Sequence, residues 1–175
     1  KKGLIISLFG ATFLGILIID LFFLRLVIQL PNILAAQYTI PITGMVLGNC
    51  LRSNVIGINE FYYSLHRHRE RYRFFLANGA SHKEAVFPFF RNALKKSANP
   101  TLASMATIGL VSLPGMMTGQ ILSGSSPLIA IKYQIMIMLA IFSGTVLSVY
   151  LGIIFSSKFV FDQQENLDES ILKEN

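Results

Sequence analysis

Charged residues and cysteines are scarce in this 175-residue chain, and each scarcity excludes a class of protein. Only 14% of the residues are charged and 53% are hydrophobic, whereas soluble chains carry about 25% charged residues. A domain of this size cannot bury so much apolar surface, which argues against a purely cytosolic enzyme. The single cysteine, Cys50, excludes a disulfide framework and a cysteine-based zinc site. Without tryptophan, an aromatic belt would have to use tyrosine.

Sequence motifs of catalysis are also missing. The chain has no Gly-x-x-x-x-Gly-Lys-Ser/Thr pattern for binding nucleotide phosphates. It has no Ser-His-Asp or paired-carboxylate set in a plausible pocket, and no metal-ligand spacing of His, Cys or carboxylates in its apolar stretches. We therefore expect no catalytic residue, no ATP hydrolysis by this chain alone and no bound cofactor; the ligands of any metal stay unknown.

Four apolar stretches predict a polytopic, all-α helix bundle in a membrane. The membrane helices are predicted near residues 4–26, 34–58, 101–122 and 129–155. Each is close to the 20 residues that cross a bilayer core. We therefore expect about four transmembrane helices and a lipid bilayer as their surroundings.

The basic residues predict the orientation. Between positions 51 and 98 there are nine lysines and arginines against three glutamates, and such an excess marks the cytoplasmic side. We expect the chain to lie in the plasma membrane with both of its ends in the cytoplasm. The C-terminal end is an acidic tail at 156–175. A basic run with aromatics can bind nucleic acid, but beside a span it is more typical of a topology signal, so no nucleic-acid partner is expected.

The cytoplasmic segment, residues 59–98, begins with apolar residues at helical spacing. This spacing predicts one helix over about 61–76. Asn78 and Gly79 follow it and predict its end, because both tolerate the left-handed backbone conformation.

A short second helix is predicted after this stop. Ser81 and Glu84 fit a capping box, in which the serine caps the helix and the glutamate reaches back. Pro88 is expected to end or kink this helix after about two turns, and Asn99 with Pro100 to begin the next one. Such a segment is either a connection on the membrane surface or a rigid docking element for another protein.

Several stretches together resemble one permease family. They are 40–49 (IPITGMVLGN), 113–122 (LPGMMTGQIL), 76–81 (LANGAS), 91–94 (RNAL), and Pro127 followed by 130–135 (AIKYQI). The family is that of the Fet-type iron-export ABC permeases, which includes the plant aluminium-sensitivity permeases, and the resemblance covers about residues 20–155. It implies that residues 1–155 form the C-terminal part of a longer permease domain.

The resemblance also implies partners. A cytoplasmic ABC ATPase would dock on a short coupling helix, and a second permease copy would complete a homodimer. The ATPase-coupling residues would be Asn78, Gly79, Ala80, Ser81, Glu84 and Ala85. ABC permeases often carry an acidic residue shortly before this glycine, and residues 71–76 contain none.

Two proline and glycine groups predict broken helices that line a transport pathway. They are Pro41, Gly44, Gly48 and Asn49 in the second span, and Pro114, Gly115, Met116, Met117, Gly119 and Gln120 in the third. The alternative is that the glycine pairs only allow close helix packing. The methionine sulfurs and the glutamine amide could bind a metal, although thioethers favour Cu(I) over iron.

The first and last spans add two further features. Asp20 is an acid at membrane depth, which makes it a functional candidate, although it also stands near Arg25 and the outer surface. On the last span, small residues recur every four positions and predict close approach to another helix: Ala140, Gly144, Ser148 and Gly152.

Three functions remain open. The leading one is export of a metal ion such as iron, which rests on the resemblance. The same scaffold could instead move a nucleotide sugar, whose negative charge would require basic residues such as Arg25, Arg52 or Lys132 in its path. The third is a membrane scaffold or channel that needs no ATPase.

Overall fold

The computed structural model of the chain describes residues 2–27, 36–108 and 114–160. These residues are almost entirely helical, which confirms the all-α fold class. The first helix, α1, continues into a π-helical turn at Phe23–Val27. The helices in chain order are α1 (Lys2–Phe22), α2 (Ala36–Arg67), α3 (Arg69–Ala77), α4 (His82–Thr107), α5 (Gly115–Leu122) and α6 (Pro127–Val160).

The central part of the bundle is formed by α1, α2 and α6. Their buried side chains meet in one cluster, the central cluster. Because lipid is as apolar as these side chains, close packing rather than exclusion of water holds such a cluster together. Its members are Ile16, Ile19, Phe23, Leu24, Ile42, Val46, Cys50, Ile137, Ala140 and Ile141.

A second cluster joins α3 and the first half of α4 to the ends of α2 and α6. Phe61 and Leu65 of α2 are fully buried in it, as the helical spacing of these residues predicts. We call it the basal cluster, since it fixes the junction of α3 and α4 to the bundle. Its members are Phe61, Tyr62, Leu65, Tyr72, Ala85, Phe89, Ala93, Val149 and Ile153.

The stripe of small residues on α6 approaches two other helices closely, as predicted. A Cβ atom added to Gly144 would lie 3.1 Å from Cγ1 of Val46 on α2. One added to Gly15 of α1 would lie 3.2 Å from the Cα of Ser148 on α6. Small side chains at these crossings therefore let the three backbones come together.

Two described helical stretches are long and apolar enough to cross a membrane, Leu8–Val27 and Pro127–Ser157. They correspond to the first and last predicted spans. The other two predicted spans fall on α2, and on the end of α4 together with α5. Residues 109–113, inside the third of them, lie outside the described ranges, as do residues 161–175 of the predicted tail. Residues 156–160, also assigned to that tail, belong to α6.

The prediction of a short second helix is wrong. Pro88 and Pro100 both lie inside α4, which runs without interruption for 26 residues. A proline inside a helix removes one backbone hydrogen bond and weakens it. Burial of Phe89 and Ala93 beside Pro88, and of Ala98 and Thr101 beside Pro100, holds the helix together through both positions.

Two further helix boundaries differ from the predictions. The helix predicted over 61–76 is divided at His68, which has φ −112° and ψ 34°. There α2 ends and α3 begins, and the His68 ring nitrogen Nδ1 lies 3.0 Å from the carbonyl oxygen of Ser64. Conversely, Pro41 does not break its span, because it lies inside the continuous helix α2.

Candidate functional site

The turn between α3 and α4, residues 78–81, has the sharp geometry predicted for it. Gly79 has φ +87°, a conformation that glycine adopts without strain. The backbone nitrogen of Gly79 donates to the carbonyl oxygen of Leu76 at 3.0 Å, and that of Ala80 to Phe75 at 3.1 Å. These bonds satisfy carbonyl groups at the end of α3, so the predicted helix stop is confirmed.

The capping box at the start of α4 is also confirmed. Ser81 Oγ accepts a hydrogen bond from the backbone nitrogen of Glu84 at 3.4 Å. In return, Glu84 Oε2 accepts from the Ser81 backbone nitrogen at 2.8 Å and from its hydroxyl at 2.7 Å. These two donors stabilise the carboxylate and lower the pKa of Glu84.

The predicted coupling residues differ in how far solvent reaches them. Asn78, Gly79, Ser81 and Glu84 are exposed, and Ala80 is partly buried. Ala85 is fully buried in the basal cluster. Its assignment to the docking surface is therefore wrong in this arrangement, because a partner cannot reach its side chain.

Polar contacts fix α4 to its neighbours. The hydroxyl of Tyr72 lies 2.9 Å from Nδ1 of His82 and ties α3 to the first turn of α4. Glu60 of α2 holds α4 at two points: its Oε1 accepts from Asn92 Nδ2 and its Oε2 pairs with Lys96 Nζ, both at 2.7 Å. The α3–α4 turn thus stands on a base held by apolar packing and by hydrogen bonds.

Two of the predicted pathway residues of α2, Gly44 and Gly48, face open space. A Cβ added to Gly44 or Gly48 would meet no heavy atom within 4 Å. Close packing does not therefore explain this pair within the described ranges. Asn49 Nδ2 donates to the carbonyl oxygen of Met45 at 2.8 Å, and its side chain lines a cavity next to α4.

The break predicted at Pro114 is present, because Pro114 precedes the first residue of α5. Gly115 and Gly119 also have open space around them. Met116 packs against the central cluster, and the helix that α5 contacts most is α6. The backbone carbonyl oxygen of Gln120 accepts hydrogen bonds from Ser123 Oγ at 2.9 Å and from the Ser125 backbone nitrogen at 3.0 Å, at the end of α5.

Met117 lines a cavity of about 480 Å³ between α4, α5 and α6. Three thioethers, from Met105, Met117 and Met138, and the amide of Gln134 are the polarisable groups in its walls. Thioethers suit soft ions, and the walls offer no carboxylate or imidazole. Within 2–27, 36–108 and 114–160, no group of three or more His, Cys, Asp or Glu side chains could hold a metal ion.

Asp20 links α1 to α2 at membrane depth. Its Oδ2 accepts a hydrogen bond from Thr43 Oγ1 at 2.7 Å. Its Oδ1 is buried and has no hydrogen-bond partner in the described part of the chain. The contact with Thr43 gives Asp20 a role in holding the two helices together.

Sequence reasoning missed a buried polar network between α1, α2 and α6. Asn54 Nδ2 donates to Thr12 Oγ1 and to Ser148 Oγ, both at 2.7 Å. Of these three residues, the sequence pattern indicates only Ser148, as a small residue of the α6 stripe. An amide at membrane depth in α2 was the available signal, since such groups hydrogen-bond across helices in membranes.

Known proteins that are similar in sequence to this chain are named as membrane proteins or as a permease. Residues 1–161 match the model of the Uncharacterised protein family (UPF0014). The chain is 33% identical to the UPF0014 membrane protein YjkA of Bacillus subtilis, over 97% of its own length and 69% of the relative. It is 33% identical to the Probable iron export permease protein FetB of Escherichia coli, over 77% of its length and 52% of FetB.

A plant relative extends the comparison. The chain is 38% identical to the Protein ALUMINUM SENSITIVE 3 of Arabidopsis thaliana, over 58% of its own length and 37% of that protein. It therefore spans from about a third to two thirds of the length of these three relatives. No solved structure matches it.

The exposed apolar side chains of α1 and α6, and the length of the two apolar helical stretches, are typical of a helical membrane protein. The chain belongs to the UPF0014 membrane protein family. The resemblance to the Fet-type permeases is thereby confirmed.

Proposed function

We propose that this chain is the membrane-spanning permease subunit of an ABC transporter, driven by a separate cytoplasmic ATPase. The observation that carries the proposal is the exposed α3–α4 turn, which is rigidly capped and joined to the bundle by the basal cluster. A transporter needs such an element, because movement of the ATPase must reach the membrane helices. The similarity to FetB, which is named a permease, supports the same class.

The continuity of α4 suggests how the movement is passed on. This helix begins at the capped turn and reaches the predicted third span without a break at Pro88 or Pro100. A displacement of the turn therefore moves the far end of α4 as well, and Glu60 passes it to α2 through Asn92 and Lys96. In this scheme the capping residues serve as the contact and α4 as the transmitting element.

The proposed arrangement has four spans, with both ends and the α3–α4 turn in the cytoplasm and residues 123–126 outside. The excess of basic residues in 51–98 supports this orientation. In a single-cysteine series built on Cys50→Ser, Ser125→Cys is expected to react with an impermeant thiol reagent added outside. Ser81→Cys is expected to react only after permeabilisation, and its labelling from outside would contradict the orientation.

A metal ion such as iron is the proposed cargo, and export the proposed direction. The support is the name of the relative FetB, and a permease of this kind would work as a pair of copies. ATP-driven uptake of Fe²⁺ into inverted vesicles containing the permease and its ATPase would support the proposal. Flux of the same size without ATPase would favour a channel instead.

Docking is tested by comparing two glycines in the same backbone conformation. Gly79→Val strains the α3–α4 turn, and Gly124→Val strains the turn before α6, where φ is +94°; the cost of each is about 1–2 kcal/mol. Only Gly79→Val is expected to reduce co-purification of the ATPase. Equal yields of ATPase with both variants, at equal amounts of folded permease, would refute docking at this turn.

The proposed pathway is tested at Gly44 and Gly119, whose surroundings are open. Leucine at either position is expected to lower transport several-fold while the folded yield stays near wild type, because the added bulk would occupy the path rather than disrupt a packed contact. Loss of folded protein in proportion to the loss of transport would show that these glycines serve assembly alone.

A further inference from the structure

A second cavity, of about 190 Å³, lies between α2, α4 and α6. Its polar lining consists of one guanidinium, three hydroxyl groups and one carboxamide, from Arg52, Ser53, Thr101, Ser104 and Asn49. Ser53 and Thr101 are 3% and 7% exposed and form its inner part. Arg52 and Ser104 are exposed and form its mouth. The cavity thus combines buried hydroxyls with one accessible positive charge.

Arg52 carries the only charge in this lining. It lies inside the predicted second span, and its helix neighbours Leu51 and Val55 are exposed apolar side chains that suit a membrane environment. Arg52 stands close to the cytoplasmic end of that predicted span, and an arginine within a span is rare and is found with partners. An oppositely charged group at Arg52 would therefore be strongly favoured.

The described residues supply no such group. Their carboxylates are those of Asp20, Glu60, Glu70 and Glu84. Of these, Asp20 bonds to Thr43, Glu60 to Asn92 and Lys96, and Glu84 to Ser81; Glu70 is on α3, which does not line the cavity. Within 2–27, 36–108 and 114–160, Arg52 makes no ion pair.

We propose that this cavity is a binding site for a phosphate-class oxyanion, either the phosphate of an anionic lipid headgroup or free phosphate. A guanidinium binds two phosphate oxygens at once, and the hydroxyls of Ser53 and Thr101 donate hydrogen bonds to the others. Basic pockets between transmembrane helices on the cytoplasmic side are known to take lipid headgroups. The site is independent of the cargo and of the ATPase.

The size of the cavity limits which ligands fit inside it. At about 30 Å³ for each water molecule, its 190 Å³ correspond to roughly six waters. This space admits a phosphate group. It is smaller than the roughly 300–1,000 Å³ of pockets that enclose drug-sized molecules, so a whole nucleotide sugar does not fit inside.

Two titrations on the purified full chain test the site and separate the two sources of phosphate. In the first, phosphatidylglycerol is added to the chain in phosphatidylcholine nanodiscs, and bound lipid is measured by native mass spectrometry. In the second, inorganic phosphate is added to the chain in phosphatidylcholine alone, and the shift of the unfolding temperature is measured. A response in the first identifies a lipid headgroup, and one in the second a free anion.

Three variants connect the responses to the cavity. Arg52→Gln is expected to weaken binding at least about tenfold, the size of a hydrogen bond to a charged group, and Thr101→Val about three- to tenfold, the size of a typical hydrogen bond. The matched control is Arg73→Gln, which removes an exposed arginine of α3 outside the cavity and is expected to change binding less than about twofold.

Unchanged binding of both probes in Arg52→Gln would overturn the proposal. If that variant does not fold, Thr101→Val decides instead, because it keeps the charge and nearly the same shape; binding at wild-type strength would then overturn it. Absence of any response of the wild-type chain to either probe would also overturn it.

Discussion

The α3–α4 turn and the region around α5 both interrupt the helical bundle, but they are built differently. At the α3–α4 turn, Gly79 supplies the left-handed conformation, and Ser81 and Glu84 exchange hydrogen bonds within four residues. At α5, Pro114 provides no side-chain cap, and Gly115 and Gly119 face open space. The hydrogen bonds of the α3–α4 turn are made within the turn and the helix ends that it joins. At α5, by contrast, a Cβ added to Gly115 or Gly119 would meet no heavy atom of the described residues within 4 Å.

In the permease function proposed above, this difference corresponds to two roles, transmission of movement by the α3–α4 turn and passage of the cargo near α5. An element that transmits force must keep its shape, and the α3–α4 turn is fixed by the basal cluster below it. A region that admits and releases a cargo must not be filled by its own side chains. The open glycines of α2 and α5 and the cavity beside Met117 meet that second requirement.

The largest expected effect concerns the base of the α3–α4 turn. Phe61→Ala removes a fully buried ring from the basal cluster and is expected to lower the free energy of unfolding by about 3–5 kcal/mol. Phe74→Ala, at a position 65% exposed, is the matched control and should change it little. Thermal unfolding in detergent measures both, and equal effects would mean that the basal cluster does not support the turn.

Glycines separate packed from open regions. In Gly57→Leu the new Cβ would lie 2.5 Å from Cγ1 of Val149, and overpacking of this kind costs about 1–3 kcal/mol. Gly44→Leu, on the same helix, adds the same side chain where no heavy atom lies within 4 Å. We expect a loss of stability only in the Gly57 variant. A comparable loss in the Gly44 variant would show that α2 is packed on that side too.

The Asn54 network should give a smaller effect. Asn54→Leu removes the donor shared by Thr12 and Ser148 and is expected to cost about 1 kcal/mol, in the range measured for hydrogen bonds between membrane helices. A double-mutant cycle with Ser148→Ala should give a coupling of about 0.6 kcal/mol. Strict additivity would contradict a direct interaction.

The smallest effect is local and depends on pH. The pKa of Glu84 is lowered in the folded chain. The ionised carboxylate therefore stabilises the start of α4 fully above the ordinary pKa of 4.5, and this stabilisation is lost as the pH falls below that value. Hydrogen exchange at the first amides of α4, corrected for the intrinsic rate, is expected to accelerate over that range.

Two substitutions serve as controls for this pH effect. Glu84→Gln should remove the pH dependence, and Glu70→Gln, on α3, should leave it unchanged. Protection that is independent of pH in the unaltered chain would mean that the carboxylate does not stabilise the cap.

The sequence predicted best those features that are determined within a few residues. The stop at Gly79, the box of Ser81 and Glu84 and the small stripe of α6 depend on one turn or one helix face. The continuity of α4 does not, because Pro88 is tolerated only through packing of the neighbouring Phe89 against other helices. Burial of Ala85 and pairing of Asn54 likewise depend on contacts with residues far away in the sequence.

The close approach of Gly15 to Ser148 has a consequence for biogenesis. These two residues belong to the first and the last described helices. A ribosome adds about 5–20 residues each second, so α1 enters the membrane several seconds before α6 exists. During that time the face of α1 that carries Gly15 has no α6 to cover it, and the insertion machinery or lipid must shield it until the last helix arrives.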